Sequence, residues 1–417
     1  MGTIDRSHPR EQLPEVPTPG PSLGKSRLVV QAAAIAGGWV PLAIAAGQSV
    51  ALRMDDLGAS PAVYSLIVAG GWAVSMVSLP VMGLVGDNAV RRGIDRRLLL
   101  LTGGIAMLAC FALLGVVQSV TAFALVWLVA QIPTSLIVTA ASSRLAHETP
   151  VDLRGWASTA AGVGPVLALT IGAATTLALS SVPSVLFVAP ALVGALLLIP
   201  SLAMSPLPVP SLDAIDSSVA RATRLYPWRL LITIALAFSG LAVGRVYLVP
   251  LLVSVSSNAT DAELTAMAST TLLVATIGAI AGTIVAGLLM RRGAHALGTF
   301  GWFCLASAVP LAIFAFVTST GQVIAVGLLL GFTVGAINAT AYGLFLHRYA
   351  HRTDPGRIFG LIVAAETVPY VIVPLCAAVW QASADAALIS ILFAIGAGLA
   401  IAASMLTLTK VRDLPSD

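Results

Sequence analysis

Residues 83–100 read GLVGDNAVRRGIDRRLLL, and the eleven residues from Asp87 to Arg97 carry six charges. The chain around this stretch is very apolar, because 58% of its residues are hydrophobic and only 10% are charged. A soluble domain carries about 25% charged residues. So low a charged fraction indicates that the lipid bilayer, and not water, is the solvent for most of this chain.

Apolar runs long enough to cross a membrane recur along the whole chain. A transmembrane helix needs about 20 mostly apolar residues, and we find twelve such runs. The Pro and Gly residues inside them do not argue against helix, because transmembrane helices tolerate both. The predicted spans, numbered 1 to 12, are residues 28–52, 62–85, 98–118, 121–143, 156–179, 182–204, 229–252, 264–290, 297–317, 322–346, 358–381 and 386–409.

The basic residues give the predicted spans an orientation. With the N-terminus in the cytoplasm, Arg53 is the one basic residue in an outer loop, and Arg245 is the one that lies well inside a span. Cytoplasmic loops of membrane proteins carry such an excess of Lys and Arg. A single missed span would reverse every later loop, so the pattern also supports the span count. We therefore expect both termini to be cytoplasmic.

The connections between the spans divide the chain. Residues 1–26 are polar and interrupted by Pro, which predicts a disordered cytoplasmic tail. The longest inner connection separates the first six spans from the last six. We predict an N-terminal six-helix bundle over residues 27–204, a cytoplasmic linker over 205–228, a C-terminal six-helix bundle over 229–409 and a cytoplasmic tail over 410–417.

The charged stretch has a counterpart in the second half of the chain. The sequence GLLMRRG at residues 287–293 joins spans 8 and 9, as the opening stretch joins spans 2 and 3. Gly287 then corresponds to Gly83, and Arg291 to Asp87. The rule that places basic residues in the cytoplasm accounts for the arginines but not for the glycines or the acid. The repeat predicts an all-α membrane protein of two pseudo-symmetric halves.

On these residues the sequence resembles the major facilitator superfamily, which has twelve spans in two halves and a Gly-x-x-x-Asp…Arg-x-Gly-Arg/Lys-Arg/Lys signature between spans 2 and 3. The resemblance implies that Asp87 meets the positive start of span 11 and steadies one conformation. The alternative is a plain surface charge. The spacing after Asp87 is longer than usual, Asn88 replaces a common Arg, and Asp95 is extra. The predicted conformational switch consists of Gly83, Asp87, Arg91, Arg92, Arg96, Arg154 and Arg357.

A second resemblance lies at residues 154–165, RGWASTAAGVGP. Members of the family carry an Arg-Gly pair that enters span 5, and Arg154 and Gly155 match it. Drug/proton antiporters of the family add a small-x-x-x-Gly-Pro motif, which Ala160, Gly164 and Pro165 match in its first part only. Close packing of small residues explains the same stretch. The match favours the bacterial drug and metabolite efflux branch. Span 4, however, lacks the arginine that many proton-coupled members place there.

Two ionisable residues lie well inside the predicted spans. Such groups cost several kcal/mol at bilayer depth and are functional candidates by default. Arg245 falls in the outer half of span 7, where it would bind an anionic group, close an outer gate or extend to the outer interface. Glu366 lies about 12 Å into span 11. We predict that Glu366 carries the coupling proton; the alternative is a structural hydrogen bond across the bundle.

Polar and aromatic side chains in spans 1, 4, 7, 10 and 11 complete the predicted binding site. The resemblance implies that the first four of these spans line a central cavity and that span 11 flanks it. Each side chain alone is explained as well by packing, but the set indicates a cavity for a small amphiphilic or anionic organic molecule. The predicted substrate-binding residues are Trp39, Gln48, Gln131, Arg245, Tyr247, Asn338, Tyr342 and Tyr370.

The sequence offers no motif for catalysis, a metal or a cofactor. The five His residues lie in the tail or in cytoplasmic segments, and the three Cys residues lie in separate apolar runs without metal spacing. No Gly-rich phosphate loop with Lys is present. We therefore expect no enzymatic activity, no cofactor, no metal and no nucleic-acid partner.

The function that follows is transport. We predict a multi-pass protein of the bacterial inner membrane, monomeric in the lipid bilayer, that moves a small organic molecule by alternating access as proton-coupled efflux. The alternatives are an importer of an organic anion or a uniporter. A non-transporting membrane sensor would need a soluble input domain, and a membrane-embedded enzyme would need acids or histidines clustered at one depth.

Overall fold

A computed structural model describes residues 21–44, 49–149, 153–179, 185–205, 228–256, 259–292, 295–349, 354–380 and 386–411. Within these ranges the secondary structure is helical, and no strand occurs. The helices are α1 (Pro21–Ile44), α2 (Val50–Asp56), α3 (Pro61–Arg91), α4 (Arg96–Val116), α5 (Val120–Glu148), α6 (Arg154–Leu179), α7 (Val185–Ala203), α8 (Trp228–Val246), α9 (Leu248–Val255), α10 (Asp261–Arg291), α11 (Ala296–Phe314), α12 (Thr320–Tyr349), α13 (Pro355–Trp380) and α14 (Ala386–Val411).

Every predicted span coincides with a helix. Spans 1 and 7, the first of each half, are each covered by two helices, namely α1 with α2 and α8 with α9. Each of the other spans is covered by one helix. In the described part of the chain, nine helices are long and apolar enough to cross a membrane.

The N-terminal boundary differs from the sequence prediction. We assigned residues 21–26 to the tail, but α1 already begins at Pro21. Proline is favoured in the first turn of a helix, because its missing N–H would have no partner there. Residues 1–20, 206–227 and 412–417, which hold most of the predicted tails and linker, lie outside the described residues.

Polar residues cap the helices that follow the loops. Thr260 and Glu263 form a reciprocal capping box at the start of α10. Asp95 caps α4 by accepting the N–H and the Nε–H of Arg97 at 2.9 and 2.7 Å. Partial burial raises the pKa of Asp95, but these hydrogen bonds and the charge of Arg97 lower the pKa by more than burial raises it. The pKa of Asp95 therefore lies below its ordinary value.

The helix pairing of the first half is repeated in the second. In the first half α3 packs on α5, α4 on α7, and α1 on both α6 and α7. In the second half the corresponding helices pair in the same way, with α10 on α12, α11 on α14, and α8 on both α13 and α14. This repetition confirms the predicted all-α fold of two pseudo-symmetric halves.

Hydrogen bonds between buried side chains hold α3 to α5. The Ser75 hydroxyl donates to Gln131 Oε1 at 2.8 Å, and one turn further on the hydroxyls of Ser78 and Ser135 are 2.7 Å apart. We call these four residues the polar zipper. Because lipid tails are as apolar as the helices, such bonds contribute to helix association in a membrane.

Glycines hold the equivalent pair, α10 and α12, by close backbone contact. A Cβ added at Gly331 would lie 1.9 Å from the carbonyl oxygen of Ala275, and clashes of 1.8 to 2.1 Å with backbone oxygens arise at three other glycines. Only glycine fits where helix backbones approach so closely. We call this set the glycine ladder; it consists of Gly278, Gly282, Gly331 and Gly335.

Candidate functional site

The two halves meet along two pseudo-equivalent seams. In the first, α3 packs along α13; in the second, α6 packs along α10. Smaller contacts join α5 to α13 and α6 to α12. Both seams reach the end of the bundle where α3 and α10 finish, which we call the arginine-rich end because Arg91, Arg92, Arg291 and Arg292 lie there.

Asp87 binds the start of α13 at the arginine-rich end. Its buried carboxylate accepts the N–H of Gly356 at 3.1 Å and the N–H of Arg357 at 2.9 Å. First-turn N–H groups have no partner within their own helix, and the positive end of the helix dipole favours an anion there. The contact that the resemblance implied is therefore present, and it joins the two halves. Its role as a switch stays a prediction.

Glycines let the backbones of α3 and α13 meet beside Asp87. A Cβ added at Gly83 would lie 2.1 Å from the carbonyl oxygen of Gly356, and one added at Gly360 would lie 2.4 Å from that of Leu79. Larger residues at these positions would push the helices apart. The glycine of the opening stretch thus acts together with the acid one turn later.

The arginines of the same loop have different surroundings. Arg96 is buried, lies 2.9 Å from Nδ1 of His147 on α5, and its charge acts on Asp87. Arg92 is exposed, and Arg91 is exposed and donates to Asn88. Of these three arginines, the structure places Arg96 nearest to the acid of the predicted switch.

A buried ion pair at the arginine-rich end was not predicted from the sequence. The Arg144 Nε donates to Glu148 at 2.8 Å, and its other nitrogens donate to the carbonyl oxygens of Ser201 and Met204 at 2.7 and 2.8 Å, at the end of α7. Arg27 of α1 lies 3.5 Å from Glu148. The spacing of four residues between a basic and an acidic side chain could have indicated the pair.

Replacing Asp87 with Asn should loosen the first seam while leaving the fold intact. Asn keeps the shape and one acceptor oxygen but loses the charge, so we expect the closed form to lose about 1–2 kcal/mol, roughly a tenfold change in population. Transport should fall several-fold. Double electron–electron resonance measures the distance between two spin labels. With labels at Arg92 and Arg348, it should show a larger share of long distances. Asp95→Asn, in the same loop, is the control. An unchanged distance distribution would show that Asp87 does not hold the arginine-rich end closed.

Inside the bundle, Trp39 of α1, Tyr342 of α12 and Glu366 of α13 come together. Trp39 lies beside the Tyr342 hydroxyl, although its buried Nε1 has no hydrogen-bond partner among the described residues, and the carboxyl group of Glu366 is near enough to act on the same hydroxyl. Tyr342 and Glu366 are 3% and 9% exposed. We call these three residues the central cluster. Since α1 belongs to the first half and the other two helices to the second, the cluster lies between the halves.

Phe359 extends the central cluster, although the sequence analysis did not single it out. Its ring packs on Tyr342 with 5.3 Å between the ring centroids. Asn338, one turn from Tyr342 on the same helix face, is 9% exposed. Glu366 makes no hydrogen bond or ion pair to any residue within the described ranges. The structural hydrogen bond that we considered for it is therefore not seen in that part of the chain.

Two other predicted binding residues lie in helix interfaces. Gln131 belongs to the polar zipper, and its amide also donates to the Trp127 carbonyl oxygen at 3.0 Å. Its side chain is 1% exposed, and these hydrogen bonds assign it to the packing of α3 on α5. The ring of Tyr370 packs on that of Trp72 of α3 in a tilted arrangement with 5.3 Å between ring centroids, which places it in the first seam. Nothing in the single sequence shows which helix faces these side chains.

The remaining predicted binding residues are placed only in part. Tyr247 stands between α8 and α9, and its buried hydroxyl has no hydrogen-bond partner among the described residues. Gln48 and the side chain of Arg245 lie outside the described residues. The structure therefore brings together three predicted site residues from distant parts of the chain, with Asn338 beside them.

An apolar groove of about 330 Å³ lies between α11 and α14, which do not contribute to the central cluster. Met405 in its wall is 64% exposed, as expected of a helix face toward lipid tails. The groove is lined by Leu305, Ile401, Ser404, Met405, Leu408 and Thr409.

Comparison with known proteins extends these observations to most of the chain. The family profile described as Major Facilitator Superfamily matches residues 29–374. No curated protein sequence matches the chain. The fold is similar to the crystal structure of a bacterial homologue of the iron transporter ferroportin in its outward-facing state, with a TM-score of 0.63 and 14% sequence identity over 93% of this chain and 99% of that one. At that identity the likeness concerns the fold.

Proposed function

Since this chain belongs to the major facilitator superfamily and is a multi-pass membrane protein of a transporter family, we propose that it moves a small organic molecule across the bacterial inner membrane in exchange for protons. The observation that carries this proposal is the central cluster. Transporter sites lie where the repeated halves meet, and the cluster takes Trp39 from one half and Tyr342 with Glu366 from the other.

In the proposed cycle the arginine-rich end alternates between two states. In the closed state both seams are in contact, and in the open state the halves have moved apart at this end. The arginine-rich end, which we assign to the cytoplasm, is held closed by Asp87 and by the glycine contacts of the first seam. Release of Asp87 from α13 would let the halves rock apart and expose the central cluster to the cytoplasm. Rigid rocking of one half against the other is the general form of alternating access.

The chemistry of the central cluster favours a neutral or cationic amphiphile as substrate. The rings of Trp39, Tyr342 and Phe359 would contact the apolar body of such a molecule, and aromatic faces also attract cations. Glu366 beside Tyr342 would repel an anion while ionised and would release or take up the exchanged proton. We propose efflux as the direction; import of an organic anion through Arg245, or uniport, is the second candidate.

A ligand screen tests the proposed site. Purified protein would be heated with amphiphilic cations, neutral compounds and anions, and we expect a compound of the first two groups to raise the melting temperature. Trp39→Phe and Tyr342→Ala should weaken its binding at least tenfold, about 1.4 kcal/mol. Trp302→Ala, which removes a ring that is 62% exposed on α11, is the matched control. Unchanged affinity in both cluster variants would place the site elsewhere.

A further inference from the structure

Three helices from both halves converge at the arginine-rich end, beside the second seam. A Cβ added at Gly343 of α12 would lie 2.4 Å from the sulfur of Met290 on α10 and 3.6 Å from Cβ of Ser158 on α6. A Cβ added at Gly155 of α6 would lie 3.2 Å from Cα of Arg291 on α10. The ends of α6, α10 and α12 are therefore in direct contact.

Basic side chains surround this contact. The guanidinium of Arg291 lies over the ring of Trp156 at 5.4 Å from its centroid, which leaves the N–H donors at its edge free to bind. The charge of Arg154, at the start of α6, acts on the imidazole of His347 at the end of α12. We call Arg154, Arg291 and His347 the basic cluster.

The basic cluster has no acid beside it within the described ranges. None of its three residues forms a salt bridge there, and Nε of Arg154 is buried without a hydrogen-bond partner. A buried polar nitrogen left unpaired costs about 1–3 kcal/mol. The first seam differs, because Asp87 and Glu148 stand among its arginines. An anion bound beside Arg154 would remove this cost.

We propose that the basic cluster binds a phosphate group, supplied either by the headgroup of an anionic phospholipid or by a free phosphate. Arginine binds phosphate through its planar fork of N–H donors, and the positive end of the helix dipole at the start of α6 adds to the attraction. Basic pockets between transmembrane helices at the cytoplasmic side bind anionic headgroups. The inference is independent of the transported substrate and of Glu366.

The placement of the basic cluster gives the bound phosphate a consequence. Arg154 belongs to the first half, whereas Arg291 and His347 belong to the second, so one phosphate would touch both. It would bind tightly only while the arginine-rich end is closed, and a ligand that prefers one state shifts the population toward that state. The phosphate would therefore hold this end closed.

Thermal unfolding of the full chain in a neutral detergent tests the site. The probes are short-chain phosphatidylglycerol, short-chain phosphatidylcholine and inorganic phosphate, each at matched ionic strength. A rise in melting temperature with phosphatidylglycerol alone supports a lipid source, and a rise with inorganic phosphate supports a soluble source. If neither anion stabilises the protein more than phosphatidylcholine or sodium chloride does, the proposal is overturned.

Variants separate the site from general surface charge. Arg154→Gln and Arg291→Gln should each raise the half-effective anion concentration at least tenfold. Arg229→Gln removes the same charge from an exposed arginine on α8 that also lies over a tryptophan ring, that of Trp228, and should leave it unchanged. Equal weakening by Arg229→Gln would contradict a specific site.

Two further readouts test the acid nearest in sequence and the effect on closure. Asp152 lies outside the described residues, and Asp152→Asn should leave anion binding unchanged or tighter. If the anion stabilises the Asp152→Asn variant but not the natural chain, Asp152 occupies the cluster and the proposal fails. With spin labels at Arg92 and Arg348, the stabilising anion should enlarge the share of short distances; an unchanged distribution would refute the bridging of the halves.

Discussion

Vesicles that contain Glu366→Gln protein should not concentrate substrate when a pH gradient is imposed, although the protein should fold and still exchange substrate. Glu366 is the one Asp or Glu inside the predicted spans. Gln keeps the size of the side chain and its hydrogen-bonding groups but cannot release a proton. A gradient of one pH unit holds about 1.4 kcal/mol per proton. The natural chain should therefore reach roughly a tenfold substrate gradient, and the variant none.

The measurement needs two assays on the same vesicles. Substrate accumulation under an imposed pH gradient reports coupling, and exchange of labelled for unlabelled substrate reports an intact site. Glu263→Gln is the control, since this exposed acid is outside the spans and Gln can also serve in the capping box. If Glu366→Gln vesicles still concentrate substrate, the proton travels through outer acids such as Asp55 or Asp56, another ion is coupled, or Glu366 is structural.

Gly331→Ala should destabilise the protein strongly, whereas Gly398→Ala should not. The added methyl at Gly331 would lie 1.9 Å from the Ala275 carbonyl oxygen, which belongs to a helix backbone and cannot rotate away. The helices α10 and α12 would have to separate, and overpacking of this kind costs about 1–3 kcal/mol or more. A Cβ at Gly398 would meet no atom within 4 Å.

Thermal unfolding in detergent would measure both glycine variants and a third, Ser75→Ala. Losing one hydrogen bond of the polar zipper should cost less, because interhelical hydrogen bonds in membranes contribute about 0.6 kcal/mol on average. We therefore expect the melting temperature to fall most for Gly331→Ala, less for Ser75→Ala and not at all for Gly398→Ala. Equal melting temperatures for the two glycine variants would show that α10 and α12 are not in backbone contact.

Features that depend on local composition could be predicted from the sequence. The length of each apolar run identified a helix, and the repeat of the glycine and arginine pattern identified the two halves. The partner of Asp87 followed from the family resemblance, because the acid and the start of span 11 are 269 residues apart. The start of α1 was placed too late, since polar residues such as Ser22 and Lys25 gave no apolar signal.

Features that depend on which face of a helix meets which neighbour could not be predicted. Phe359 and Trp72 stand in runs of apolar residues, and nothing in the pattern separates a ring beside the central cluster from one in ordinary packing. Gln131 looked like a binding residue because a lone polar side chain in a span suggests function. Its bond to Ser75 depends on the arrangement of two helices.

The glycine ladder and the polar zipper give the two halves different freedom to evolve. At each position of the ladder every possible substitution adds volume where backbones touch, so random change there can only separate the helices. Positions in the zipper accept exchanges among small polar residues, because a hydroxyl or an amide can restore a lost bond. Starting from a common repeat, the α10–α12 pair would therefore change slowly, whereas the α3–α5 pair would change faster. Most of the sequence difference between the two halves would then arise in the first half, at the α3–α5 pair.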